Sequence, residues 1–272
     1  MAKIAVAQML PDPEDLKANL KQARALIKRA AKKGAQVVVL PEMAITGQDD
    51  EGRPAPNPIP GPATDELAQA ARKANAWVIA GLPEANPEGK PFNSAVAINP
   101  DGEIADVYRK VFLYRCENDG YQPGNRACVL DLGFCRAGLT ICYDYIFPEY
   151  IRKLAVAGAQ LLLHPTAWQT NDVCRSWNYP ARKVYRAQCR VRALENNIFV
   201  ASANQADSCD DRGKLHMLGR SSIIAPWGEV LAEVRKGEGV AVADLDFAMI
   251  EGWSEEAAPY LKDYMEKTIP DV

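Results

Sequence analysis

GAQVVVLPE at 34–42 returns as GAQLLLHPT at 158–166, each copy behind an amphipathic stretch. Runs such as VVVL and LLL are too short for a helix and too uniformly apolar for a wet face, so they read as strands covered on both sides. Two further echoes keep the same order. NAWVIAG at 75–81 pairs with NIFVASA at 197–203, and INPDGEIADVYRK at 98–110 pairs with IAPWGEVLAEVRK at 224–236. Each half therefore carries strand, helix, strand, helix, strand and hairpin, and the chain reads as two similar halves.

Other short apolar runs (IAVAQ, SAVAI, GLTIC, SSIIA and VAVADL) extend the strand list, and hairpins turn at Asp101-Gly102 and Trp227-Gly228. Strands alternating with helices, plus hairpins, predict an α/β fold with mixed sheets, in which two halves stack sheet on sheet with helices outside. The first helix is expected to use Asp12 as N-cap and Pro13 as its first residue, with Gly34 beyond its end. Leu16, Leu20, Ala23, Ile27 and Ala30 form its apolar stripe. A second helix near 181–195 is expected to pack through Val184, Ala187, Val191 and Leu194, leaving Arg182, Lys183, Arg186 and Arg190 solvated. After Asp246 a short helix and an arm are expected.

The 272 residues are 48% hydrophobic and 25% charged, enough apolar surface for one large core and against disorder. Lys plus Arg (32) nearly balance Asp plus Glu (35), leaving a net charge of -3 and no electrostatic reason to expect nucleic acid or an anionic membrane as partner. The opening MAKIAVAQMLPDPED has too short an apolar core for a signal peptide, and no run reaches about 18 apolar residues. A cytoplasmic protein is expected. Seven cysteines without a C-x-x-C pair fit neither a disulfide framework nor a zinc ribbon. Two histidines, His164 and His216, are too few for a multi-histidine metal site, so any nucleophile is expected to use another base.

Three polar residues stand where apolar strands end, the usual place for ligands and catalysts in α/β folds: Glu42, Lys110 and Cys142. The repeat sharpens this. Lys110 is matched by Lys236, whereas Glu42 is matched by Thr166, so the acid has a job its duplicate lacks. A thiol beside a Lys cation has its thiolate favoured, and a neighbouring carboxylate can accept the thiol proton.

At these residues the sequence resembles the nitrilase superfamily of carbon-nitrogen hydrolases. VVLPEMAITG around Glu42, YRKVFLY around Lys110 and ICYDYIFPE around Cys142 are similar to that family's Glu, Lys and Cys motifs, in its order. RALENNIFVASANQ at 192–205 and GRSSIIAPWGEVLAE at 219–233 also resemble it, so the likeness covers nearly the whole chain. It implies a four-layer α-β-β-α sandwich, a single carbon-nitrogen hydrolase domain over 1–272 with a C-terminal arm from about 247, and a homodimer or larger even assembly. It also implies a second acid, carried here by Glu117, seven residues before Gly124. Phe112 stands where the family more often has His, which leaves the triad intact.

The chemistry so implied is amide hydrolysis through a thioester, without metal or cofactor. Glu42 takes the proton of Cys142, and the oxyanion is held by Lys110 and the backbone N–H of Tyr143. Tyr143-Asp144 after the nucleophile looks like the amidase side, since family nitrilases usually have Trp-Glu there. A nitrilase or N-carbamoyl hydrolase with the same triad is the nearest alternative; an acyltransferase and a non-catalytic scaffold are more distant ones. Tyr145, Ile146, His164 and Trp168 are candidate pocket residues. Carboxylate-recognising members have an Arg four residues after the nucleophile, where this chain has Ile146, so a small neutral amide is the expected substrate.

Overall fold

The computed structural model describes residues 1–47, 55–170, 172–209 and 216–267, and not the side chains of 172, 175, 208, 209 and 216. The first half runs β1 (Ala2–Gln8), α1 (Leu16–Ala31), β2 (Val37–Val39), α2 (Pro62–Ala74), β3 (Trp77–Glu84), β4 (Phe92–Ile98) and β5 (Ile104–Arg109). After a short α3 (Glu117–Gly120), the second half runs β6 (Val129–Asp131), β7 (Arg136–Leu139), a 3-10 turn (Cys142–Ile146), α4 (Pro148–Val156) and β8 (Leu161–Thr166). It continues with β9 (Gln169–Thr170), α5 (Asp172–Ser176), α6 (Ala181–Asn196), β10 (Phe199–Asn204), β11 (Ser208–Cys209) and β12 (His216–Met217). β13 (Ser222–Ile224), β14 (Val230–Glu233), β15 (Gly239–Leu245), α7 (Ala248–Glu256) and α8 (Tyr260–Glu266) complete the described chain.

Two six-stranded sheets result, in the orders β15-β1-β2-β3-β4-β5 and β14-β13-β10-β8-β7-β6. In the first, β1, β2 and β3 are parallel and the flanking pairs antiparallel. In the second, β7, β8 and β10 are the parallel triplet, again with antiparallel flanks. The halves superpose in topology, and each sequence echo falls on an equivalent pair: β2 with β8, β3 with β10, and the hairpin β4-β5 with β13-β14. Even the turns repeat, since Asn75 and Asn197 end their helices at φ 48° and 51°, a left-handed conformation Asn tolerates.

The side-chain alternation of β1 shows how the layers stack. Ile4 and Val6 belong to the core between the sheets, together with Val37, Val39, Leu161 and Leu163. Ala5 and Ala7 face the other way, into the layer of Leu20, Ile27, Leu67 and Ala71 from α1 and α2. The outer face of the second sheet is covered by Ile151 and Leu154 of α4 and by Tyr185 and Cys189 of α6. This is the four-layer α-β-β-α sandwich, with both faces of the central strands of each sheet dry and the edge strands β5, β6 and β14 partly exposed.

Local readings differ in places. α1 starts at Leu16 with Asp15 as N-cap, its carboxylate accepting from Ala18 N–H at 2.8 Å. Asp12 and Pro13 lie in the preceding turn, because the Asn19 side chain takes both Asp12 N–H and Asp12 C=O. α6 packs through Tyr185, Cys189, Arg192, Ala193 and Asn196, not through the expected stripe; Val191 is 45% exposed. The polar members of that buried face have partners: Arg192 donates to Tyr145 C=O and Asn196 to Arg192 C=O. The C-terminal stretch forms α7 and α8, and Asn197 ties it down through Ala258 C=O and Leu261 N–H. Among the described residues no helix is long and apolar enough to cross a membrane.

Candidate active site

Glu42 directly follows β2 and Pro41, and its backbone lies so close to β3 that a Cβ on Gly81 would come within 2.5 Å of Glu42 Cα. Glycine is required there. Lys110 directly follows β5, pinned by its N–H to Asn93 C=O and its C=O to Gly124 N–H, both at 2.8 Å. Gly124 is similarly constrained, since a Cβ would stand 2.1 Å from Arg109 C=O. Cys142 opens the turn after β7 with φ 42°, a strained conformation for a residue with a side chain.

That strain is held from two sides. The Asp144 carboxylate accepts Ile141 N–H at 2.8 Å and Tyr108 O–H at 2.6 Å on one oxygen, and Phe112 N–H at 2.9 Å on the other. It thereby locks the Cys142 turn to the segment following Lys110. From the far side the buried Arg192 donates to the carbonyls of Tyr145 and Ile146. Burial pushes the Asp144 carboxyl up to about 6, against the pull of these donors.

The expected residues meet. Lys110 Nζ donates to Glu42 Oε1 at 2.8 Å and to Glu117 Oε1 and Oε2 at 3.0 and 2.8 Å. Asn93 Nδ2 lies 2.7 Å from Oε1 of each carboxylate. Ala167 N–H donates to Glu42 Oε2 at 2.8 Å, and Tyr114 N–H to Glu117 Oε2 at 2.6 Å. Glu42, Asn93, Lys110 and Glu117 are each at most 3% exposed. Burial alone would lower the Lys110 ammonium, but the Glu117 and Glu42 carboxylates overcome it and hold Lys110 protonated, a donor and not a base.

Cys142 corrects one expectation. Burial and then the Glu42 charge push its thiol far up, and Lys110 with the Thr166 hydroxyl opposes them without winning. The resting sulfur is a thiol, and it would have to lose that proton to act as a nucleophile. Of the two carboxylates in the cluster, Glu42 bears on that thiol more strongly than Glu117.

Glu42, Lys110, Glu117 and Cys142 open on a cavity of about 620 Å³, whose walls include Tyr114, Tyr143, Ile146, Trp168, Trp177 and Tyr179. Ile146 and Trp168 thus line it as expected, and Tyr143 lies beside Cys142. Tyr145 and His164 do not line it. Both are fully buried, stacked with ring centroids 4.2 Å apart, and His164 Nδ1 pairs with Thr140 Oγ1 at 2.9 Å. Burial, aided by the Lys110 charge, lowers His164 to about 3, so its ring is neutral and structural. Phe112 stacks on Phe147 at 3.8 Å, a packing role. Asn93, Ala167 and the wall from 173 to 180 escaped the sequence reading; the signal for Asn93 was a polar pair, Asn93-Ser94, opening an apolar strand.

Known proteins are similar to this chain in sequence and in architecture. The model of the carbon-nitrogen hydrolase family matches residues 3–255. The nitrilase of Pyrococcus abyssi is 36% identical over 257 residues, covering 92% of each chain. The omega-amidase NIT2 of Xenopus tropicalis is 32% identical over 254 residues, 90% of this chain and 88% of that protein. Among solved structures, a mutant of the amidase from Nesterenkonia sp. AN1 showing the result of Michael addition of acrylamide at the active site cysteine is 28% identical. It has a TM-score of 0.78 and covers 97% of this chain and 96% of that one. The chain belongs to the carbon-nitrogen hydrolase family of the nitrilase superfamily, and is a hydrolase acting on carbon–nitrogen bonds other than peptide bonds.

Proposed function

We propose that this hydrolase cleaves a neutral primary amide to a carboxylic acid and ammonia through a thioester on Cys142. The observation that carries the reading is the buried Glu42–Lys110–Glu117 cluster opening on the same cavity as a protonated Cys142. Glu42 takes the thiol proton as sulfur attacks the amide carbon. The oxyanion is held by the Lys110 ammonium and the backbone N–H of Tyr143. On collapse, Glu42 returns the proton to the departing nitrogen, and ammonia leaves. Water then gives a proton to Glu42 and its oxygen to the thioester carbon; the acid departs and the proton returns to sulfur. Glu117 holds the ammonium of Lys110 in place through both oxygens.

Substrate class rests on the walls. The names of the vertebrate relatives point to omega-amides, whose far end carries an acid. Here Lys110 is the one cation among the described side chains lining the cavity, and both its carboxylate partners are already present. A substrate carboxylate would be desolvated against Ile146 and aromatic rings without a partner. A cavity of about 620 Å³ with such walls suits an aliphatic or aromatic acyl group larger than acetyl. The side chain of Arg175, on α5 near the mouth, is outside the described residues. A cytoplasmic location accords with six described cysteines that are free thiols. A dimer or larger even assembly accords with the exposed Val191 on α6.

The test compares kcat/KM for ammonia release from a neutral amide and from its carboxylate-bearing analogue of equal length. At least a tenfold preference for the neutral amide is expected. A tenfold preference for the acid would overturn the substrate class.

A further inference from the structure

Asn93 stands at the centre of the polar cluster. It lies on β4, wholly buried, and its main chain and side chain act on the same neighbours. Its carbonyl accepts Lys110 N–H at 2.8 Å, fixing the start of the lysine side chain. Its Nδ2 spans the two acids, 2.7 Å from Glu42 Oε1 and 2.7 Å from Glu117 Oε1. Carboxylates only accept, so the amide must present its nitrogen to them and not its oxygen. Asn93 Oδ1 is buried and has no donor among the described residues, so the polar contacts of this side chain are those of Nδ2 with the two acids.

A closed ring of four atoms follows. Lys110 Nζ, Glu42 Oε1, Asn93 Nδ2 and Glu117 Oε1 contact in sequence at 2.8, 2.7, 2.7 and 3.0 Å. Two donors alternate with two acceptors, so carboxylates that would repel each other are joined by two bridges. Glu42 Oε1 already accepts twice, whereas among the described residues Oε2 accepts only Ala167 N–H. We propose that Asn93 is a positioning residue that saturates one oxygen of Glu42, so that the other receives the Cys142 proton. The proposal rests on Glu42 being the base. The ionisable groups facing Glu42 are Lys110 from the end of β5, Glu117 from α3 and Cys142 from the nucleophile turn; Asn93 and Ala167 supply neutral donors.

The consequence is a change in the pH at which the base becomes competent. Removing a donor from a buried carboxylate disfavours its charged form, so the acid limb of the kcat/KM profile must move to higher pH. For Asn93→Ala, we expect a shift of about one pH unit, a kcat lowered about tenfold to a hundredfold, and KM within about threefold. Asn93→Asp has the same shape but donates at most one proton, and only while protonated, so it should be worst above neutral pH. This variant carries the measurement if Asn93→Ala does not fold. Ser94→Ala, the next residue on the strand, whose hydroxyl donates instead to Glu84, should leave the limb in place.

An unmoved limb with kcat within threefold of wild type in Asn93→Ala or in Asn93→Asp overturns the proposal, as does an equal shift in Ser94→Ala. Glu42→Gln and Cys142→Ala distinguish this from a wrong reading of the site. If either keeps wild-type turnover, the base or nucleophile is misassigned; if both are inactive, failure belongs to Asn93 alone.

Discussion

Glu42→Gln should stop turnover while making the Cys142 thiol easier to ionise. The substitution keeps the length of the side chain but sets an amide where Glu42 accepts from Lys110, Asn93 and Ala167 N–H. An amide does not take up a proton at working pH, so turnover should fall about a thousandfold. The thiol responds with the opposite sign. Cys142 is held high by burial first and by the Glu42 charge second, with Lys110 opposing. Deleting the carboxylate removes the second cause and leaves the lysine in place, so the thiol midpoint falls. A charge at contact range moves a titrating group by about one to three pH units, so a drop of at least about one is expected. Lys110 keeps Glu117 as partner, limiting the stability loss to about 1–3 kcal/mol, or about 5 °C in Tm. The assay is the pH dependence of Cys142 alkylation read from its own peptide, because exposed Cys116 would obscure a whole-protein signal. A midpoint that stays or rises in Glu42→Gln would refute the claim that this carboxylate faces the thiol.

Glu117→Gln should keep the fold and lower turnover strongly while Cys142 is still alkylated, since Glu117 holds Lys110, Asn93 and Tyr114 N–H but is only a minor influence on the thiol. A wild-type steady-state rate would return Glu117 to a structural acid. Cys135→Ala should stay active: burial lifts that thiol to about 12, and it packs in the core; loss of turnover with an intact fold would contradict this. Acid stability reports two opposed groups. His164, lowered from 6.5 to about 3 by burial, contributes fully above pH 6.5 and loses about 1.4 kcal/mol per pH unit as pH falls toward 3. Asp144, raised from 3.8 to about 6, has its burial penalty relieved as pH falls from 6 to 3.8. Urea unfolding between about pH 6 and pH 4 should therefore show near cancellation in wild type and a loss of about 3 kcal/mol in Asp144→Asn; equal curves would show that these groups do not titrate so.

The layers were legible because repetition is a strong signal: three echoes fixed which strands correspond, and uniform apolar runs required both sheet faces to be covered. The strand-end residues Glu42, Lys110 and Cys142 were legible for the same reason, since polar side chains there have no packing role. What failed was the direction of side chains in helices and loops with buried polar groups. The packing face of α6 was misread because Arg192 and Asn196 look solvated, yet their donors satisfy backbone carbonyls inside. Tyr145 and His164 sit next to the site in sequence but stack on each other in the core. Asn93 was overlooked because a neutral amide in an apolar strand carries no charge pattern, although from β4 its contacts reach the residues following β2 and β5 and the helix α3.

Cys142 is the acyl carrier in the proposed reaction. Wild-type protein turning over a neutral amide, quenched in acid and weighed intact, should gain the mass of the acyl group, with the modified peptide containing Cys142. Cys142→Ala should gain nothing and release ammonia at less than about a thousandth of the wild-type rate. An acyl group on any other residue, or ammonia release by Cys142→Ala above that level, would contradict it.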